Sequence, residues 1–198
     1  MDIFKGKDPF LSKGYNSLMN ALIFLADGFE MSEALVTFDI LTRSHLIHPK
    51  LISISSSLEV TTSMGVAVKA DNRLEDIRLD EFDMIILPGG KKGVENLASS
   101  KQVKDAIISF KEKGKDVHAI CAAPSILGKL GYLDGKNYTC FPGFESGKGN
   151  YINTGVVTDG HLVTGHSMGY SMSFAEAIVA LYYGEEEVNH IRKGTLGR

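Results

Sequence analysis

Cysteine occurs only twice in this 198-residue chain, as Cys121 and Cys140. Two thiols without C-x-x-C spacing exclude a disulfide framework, and a reducing cytoplasm is the expected setting. An excess of charge is also missing. Lys and Arg number 21 against 24 Asp and Glu, a net of -3. No basic stripe interleaved with aromatics is present, so neither nucleic acid nor an anionic membrane surface is an expected partner. No apolar run approaches the length that spans a bilayer. The first eighteen residues, MDIFKGKDPFLSKGYNSL, carry Asp2 and Asp8, no Arg and no apolar h-region. They read as an N-terminal extension (1–18) ahead of a single domain over 19–198, and not as a signal or transit peptide.

Cofactor signatures are equally scarce. There is no G-x-G-x-x-G, and GFESGKG (143–149) lacks both a Ser or Thr after Lys148 and a preceding strand. The six histidines, His45, His48, His118, His161, His166 and His190, show no metal-ligand spacing with the cysteines. The expectation is therefore a site with no metal, no nucleotide and no other cofactor.

What is present is an ordinary globular composition, 43% hydrophobic and 23% charged, long enough for one filled core. Three apolar runs, MNALIFLA (19–26), FDMIIL (82–87) and VHAI (117–120), suit strands covered on both faces. LISIS (51–55) reads as a shorter strand, and 58–70 as two short strands around Met64-Gly65. Met31, Ala34, Leu35 and Phe38 fall at helical spacing, as do Val103, Ala106, Ile107 and Phe110. Gly114 closes the second of these helices, and Pro124 suits the first turn of another. VVTDGHLVT (156–164) predicts a hairpin with a type I′ turn at Asp159-Gly160. A long final helix is expected to bury Met168, Met172, Ala175, Ile178, Val179 and Tyr182. Strands alternating with helices predict a doubly wound, mostly parallel α/β sheet with an added β-hairpin.

Three features follow predicted parallel strands: Asp27 to Glu33, Gly89-Gly90 and Cys121. In an open α/β sheet the C-terminal strand ends share one edge, where ligands bind. Cys121 lies at a strand-to-helix turn, where unpaired N–H groups and the helix dipole favour thiolate; Cys140 reads as packing. Glu30 reads as a solvated first-turn carboxylate. Glu33, if turned into the crevice beside Cys121, would have its pKa raised by burial and repulsion, leaving a protonated carboxyl able to donate. Gly89 and Gly90, with Ala122, could present backbone N–H groups to an oxyanion. A remote competitor is Gly165-His166-Ser167-Met168-Gly169, which matches the serine-hydrolase elbow G-x-S-x-G. Only 29 residues follow it, with His190 their one histidine and no later strand end to carry a triad.

ADGFEMSE (26–33), ILPGG (86–90), AICAAP (119–124), TCFPGFE (139–145) and SFAEAIVAL (173–181) together resemble the ThiJ/PfpI superfamily, in its DJ-one and bacterial ThiJ-type branch. The likeness runs from about Asn20 to Tyr183. It implies a flavodoxin-like sandwich and a homodimer. It places the elbow nucleophile on Cys121, its partnering acid on Glu33, and the oxyanion donors on Gly89, Gly90 and Ala122. The activities it implies are cofactor-independent glyoxalase chemistry on small α-oxoaldehydes (methylglyoxal to lactate) or deglycation of their protein adducts. The alternative is an oxidative-stress sensor or chaperone acting through oxidation of the same cysteine. The histidine that follows the nucleophile in the protease branch is replaced by Ala122, which argues against proteolysis. The pocket histidine of the T-x-H-P segment is replaced by Phe141. The Gly-Pro-Gly loop before the last helix is replaced by GHSMG, so His166 is a candidate for the missing imidazole.

Overall fold

The computed structural model describes residues 17–197; most of the N-terminal extension (1–16) and Arg198 lie outside the described residues. The chain opens on β1 (Met19–Leu25), then α1 (Met31–Arg43) and β2 (Ile47–Ser53). A short antiparallel pair, β3 (Glu59–Thr61) and β4 (Ala67–Lys69), precedes β5 (Asn72–Arg73) and β6 (Met84–Leu87). Next come α2 (Lys91–Ser99), α3 (Lys101–Glu112), β7 (Asp116–Ile120) and α4 (Pro124–Lys129). After β8 (Asn137–Tyr138) and β9 (Asn150–Tyr151), the hairpin β10 (Val156–Asp159) and β11 (Leu162–Gly165) leads into α5 (Ser171–Leu196).

Seven strands form one sheet in the order β10-β11-β7-β6-β1-β2-β5, parallel throughout except for β10 on β11. This is the flavodoxin-like α/β sandwich. The alternating directions of strand side chains feed two separate cores from each apolar run. Leu22 and Phe24 of β1, Ile85 and Leu87 of β6, and Val117 and Ala119 of β7 pack under α2, α3 and α4. Ala21, Ile23 and Leu25, Met84 and Ile86, and Ile120 pack under α1 and α5. His118 joins the second face without titrating. Its Nδ1 accepts the Val163 N–H, its Nε2 faces the Tyr182 hydroxyl, and burial pushes its pKa down to about 3. Among the described residues, no helix is long and apolar enough to cross a membrane.

Several expectations need correction. The loop of the β10–β11 hairpin is Gly160-His161, not Asp159-Gly160: Asp159 pairs with Leu162, and positive φ falls on Gly160 alone. That is the II′ pattern, with glycine first. Asp159 remains a strand residue because its carboxylate accepts the Asn137 N–H at 2.8 Å. Met168 and Met172 are 56% and 36% exposed, whereas Phe174 is fully buried in the helix stripe. The final helix does not run on straight: Gly184, at φ 82° and ψ 171°, breaks it. The chain reverses there, so that Arg192 grips the buried Glu176 carboxylate with two hydrogen bonds of 2.9 and 2.7 Å. Sixteen helical residues would otherwise separate the two by about 24 Å. Helix α2 was not expected at all. Its sequence, KKGVENLAS, holds a glycine and only two large apolar residues. Gly93 is needed there, because a Cβ would lie 2.7 Å from the Phe29 backbone.

Candidate active site

Strands β1, β6 and β7 are neighbours, so the segments that follow them converge at one edge of the sheet. Cys121 leaves β7 at φ 64°, one of two non-glycine residues with positive φ among those described. This left-handed conformation costs a side chain about 1–2 kcal/mol. It is held by the hydrogen bond from Cys121 N to Gly165 O on β11 (2.9 Å) and by that from Phe141 N to Cys121 O (2.8 Å). Strain of this kind, over-determined by the surrounding backbone, is a mark of functional sites. Ser167 of the competing G-x-S-x-G motif has φ -166°, ordinary extended backbone. The nucleophile-elbow geometry therefore belongs to the cysteine and not to the serine.

Glu33 lies in the first turn of α1 and is wholly buried. Its Oε2 accepts the Gly89 N–H at 2.7 Å, while Oε1 has no hydrogen-bond partner. A Cβ on Gly89 would stand 2.6 Å from Glu33 Oε2 and 3.1 Å from Cys121 Sγ. Glycine at this position is what lets carboxyl and sulfur share one small space. Gly90 is equally constrained: at φ 87°, a Cβ there would meet the Gly28 carbonyl at 2.4 Å. The loops after β1 and β6 touch backbone to backbone.

The electrostatics depart from the thiolate expectation. Burial pushes the Cys121 thiol up to about 12, and the neighbouring Glu33 charge adds to this; N–H groups of Ala122 and Gly90 directed at sulfur pull the other way and lose. Helix α4 has only six residues and starts three positions beyond the sulfur, too small a dipole to offset desolvation. Burial likewise raises Glu33, to about 7, with the Glu30 charge contributing in the same direction. A thiolate at neutral pH thus requires Glu33 to hold the proton, which removes the opposing charge and leaves the two N–H donors on sulfur.

The other expected residues sort as follows. Glu30 is not a solvated first-turn residue. It is the half-buried N-cap of α1, accepting the Ser32 N–H at 3.4 Å through Oε1, and its Oε2 is buried without a partner. Gly89 donates its N–H to Glu33 and so is not free to serve an oxyanion; Gly90 and Ala122 face the sulfur instead. Phe141 lines an open pocket of about 280 Å³ with Cys121, Ala122, Phe144 and Lys91. His166 is not among those lining residues. Its ring packs against Phe141 (centroids 6.3 Å apart) and Tyr170 (5.9 Å), with Nδ1 buried and unpartnered. Cys140 is fully buried in the core. Lys91 was missed by sequence reasoning because it opens α2, the helix whose pattern was too weak to read. Among the described residues, no group of three or more His, Cys, Asp or Glu is placed to hold a metal ion.

The DJ-1/PfpI family profile matches residues 19–181. Protein DJ-1 homolog B of Arabidopsis thaliana is 34% identical over 94% of this chain, although the chain spans only 43% of that protein. A deglycase of Pyrococcus abyssi is 31% identical over 82% of the chain and 99% of its own length. The crystal structure of Drosophila melanogaster DJ-1beta superposes with a TM-score of 0.83 at 32% identity, covering 90% of this chain and 98% of the fly chain. The chain belongs to the DJ-1/PfpI family.

Proposed function

We propose that the protein converts small α-oxoaldehydes to 2-hydroxy acids (methylglyoxal to lactate), or removes such groups from proteins, with Cys121 as nucleophile and Glu33 as proton carrier. The observation that carries this reading is the strained Cys121 beside a fully buried carboxyl with one unpartnered oxygen. The deglycase of Pyrococcus abyssi, similar along its whole length, supports the same class of chemistry.

The steps need no cofactor. Glu33 takes the thiol proton as sulfur bonds to the aldehyde carbon, and returns it to the carbonyl oxygen, giving a hemithioacetal. Released from sulfur once it bonds to carbon, the Ala122 and Gly90 N–H groups are free to donate to the developing oxygen charge. Glu33 then takes the proton on C1 and passes it to the C2 oxygen as the electron pair forms a C1–C2 double bond, giving an enediol. It next takes the C1 hydroxyl proton and delivers a proton to C2, so that C1 becomes the carbonyl of a thioester. C1 has been oxidised and C2 reduced by the same two electrons. Water cleaves the thioester, releasing the hydroxy acid and restoring the thiol. A carboxyl with a pKa of about 7 is present near neutrality in both the forms this cycle needs.

The test is methylglyoxal consumption and lactate formation by wild type, Cys121→Ser and Glu33→Gln. Loss of at least about a hundredfold in both variants is expected, the lower range for a general acid–base group. Unchanged turnover in either variant would remove the assignment. If wild type makes no lactate while peroxide converts Cys121 to a sulfinate, the oxidation-sensor reading takes its place.

A further inference from the structure

The pocket beside Cys121 has one charged side chain in its lining. Glu33, which shares the elbow with the sulfur, is wholly buried and is not among the lining residues. The charged residue is Lys91, exposed, with no ion pair or hydrogen bond among the described residues, whereas its neighbour Lys92 pairs with Glu95. Phe141 and Phe144, set edge to face with centroids 6.4 Å apart, supply apolar wall. These rings offer neither donor nor acceptor to a substrate.

Lys91 also occupies a position that the helix itself disfavours. It opens α2, whose first turn contains no acid, and whose N-cap Gly90 contributes no side-chain cap. A cation there is opposed by the helix dipole. A local preference broken without compensation within the fold is a frequent signature of function. The pocket is larger than methylglyoxal requires: a three-carbon aldehyde fills only part of about 280 Å³.

We propose that Lys91 is a specificity-determining residue that selects α-oxoaldehydes bearing an anionic group, carboxylate or phosphate. The proposal rests on Cys121 being the reactive group, as in the reading above. The aldehyde meets sulfur, the apolar part of the molecule lies on the two phenylalanines, and the anion meets Lys91. A neutral substrate gains nothing from Lys91.

The first measurement does not depend on turnover. Iodoacetate and iodoacetamide alkylate thiolate in the same way, sulfur bonding to carbon as iodide leaves, and they differ chiefly in charge. Rates at Cys121 are read by peptide mass spectrometry in wild type, Lys91→Gln and Lys91→Arg. The iodoacetate-to-iodoacetamide ratio is expected to fall about fivefold in Lys91→Gln, as for an ion pair at a solvent-facing rim, and to be retained in Lys91→Arg. In wild type it should fall toward the Lys91→Gln value in about 1 M salt, where the Debye length is about 3 Å. Equal ratios in wild type and Lys91→Gln, or a wild-type ratio indifferent to salt, overturn the proposal. The second measurement compares 4-carboxyphenylglyoxal with phenylglyoxal. Wild type should show a lower KM for the carboxylated aldehyde, and Lys91→Gln should lose that difference in KM with little change in the ratio of kcat values. If neither aldehyde turns over while the alkylation ratio behaves as expected, the catalytic reading fails and the selection by Lys91 stands. If both turn over with no KM preference in wild type, Lys91 does not select and the catalytic reading stands.

Discussion

Replacing Glu33 with glutamine gives a sharp test of the electrostatics at the elbow. The buried carboxyl has its pKa raised from the ordinary 4.5 to about 7, chiefly by burial. A raised carboxylate pKa means that the folded state binds more protons than the unfolded state between these two values. Stability therefore falls as pH rises through that window and stays lower above it. At 1.36 kcal/mol per pH unit, the interval from 4.5 to about 7 amounts to about 3 kcal/mol. The amide introduced by Glu33→Gln would keep an oxygen to accept the Gly89 N–H, now bonded at 2.7 Å, and it carries no charge at any pH. Urea denaturation of both proteins at a series of pH values from 4 to 8 isolates the effect, because the two differ in this one titratable group. The stability of Glu33→Gln relative to wild type should rise by about 3 kcal/mol across the series. Parallel stability curves would refute the reasoning, since they would mean that ionising this carboxyl in the folded protein costs nothing.

Two further substitutions probe backbone positions on which the fold depends. In Gly89→Ala the new methyl would fall 2.6 Å from Glu33 Oε2 and 2.7 Å from Cys121 Cβ; overpacking of this kind costs about 1–3 kcal/mol. Thermal unfolding should register that loss, and methylglyoxal turnover should fall with it as carboxyl and sulfur are pushed apart. Gly184→Ala places a side chain at φ 82° and ψ 171°, a region essentially reserved for glycine, at a cost of about 1–3 kcal/mol. Faster hydrogen exchange confined to residues 185–196 is expected, as the turn holding Arg192 against Glu176 weakens; unchanged exchange there would contradict the strain argument.

The apolar runs at 19–26, 82–87 and 117–120 were legible as strands because a strand buried on both faces needs apolar residues at every position. The turn after each was legible from its Gly, Pro or Asp. The hairpin at 156–164 was also read correctly, but its turn was placed one residue early. Turn type depends on which residues pair, and Asp159 is drawn into the strand by its bond to Asn137. Helix α2 escaped notice because Gly93 answers to the Phe29 backbone, a tertiary contact that local pattern does not carry. Gly184 turns the last helix back on itself, although the run around it has good helical propensity, because Arg192 finds its partner only after the reversal.

By itself, the sequence determined that Cys121, Glu33 and the Gly89-Gly90 pair each follow an apolar strand, and parallel topology then puts strand ends on one edge. Residue type also limited what these groups could do, since a lone cysteine and a carboxyl permit nucleophilic and proton-transfer chemistry without a metal. Only the tertiary structure decided how they are charged. The long stretch of chain between Glu33 and Cys121 says nothing of the distance between their side chains, and desolvation depends on what packs around them. The short helix dipole that favoured thiolate in the sequence is outweighed by burial and by the carboxylate brought beside the sulfur. Lys91 gained its place at the pocket in the same way, through a helix that exists because its glycine fits against a neighbouring loop.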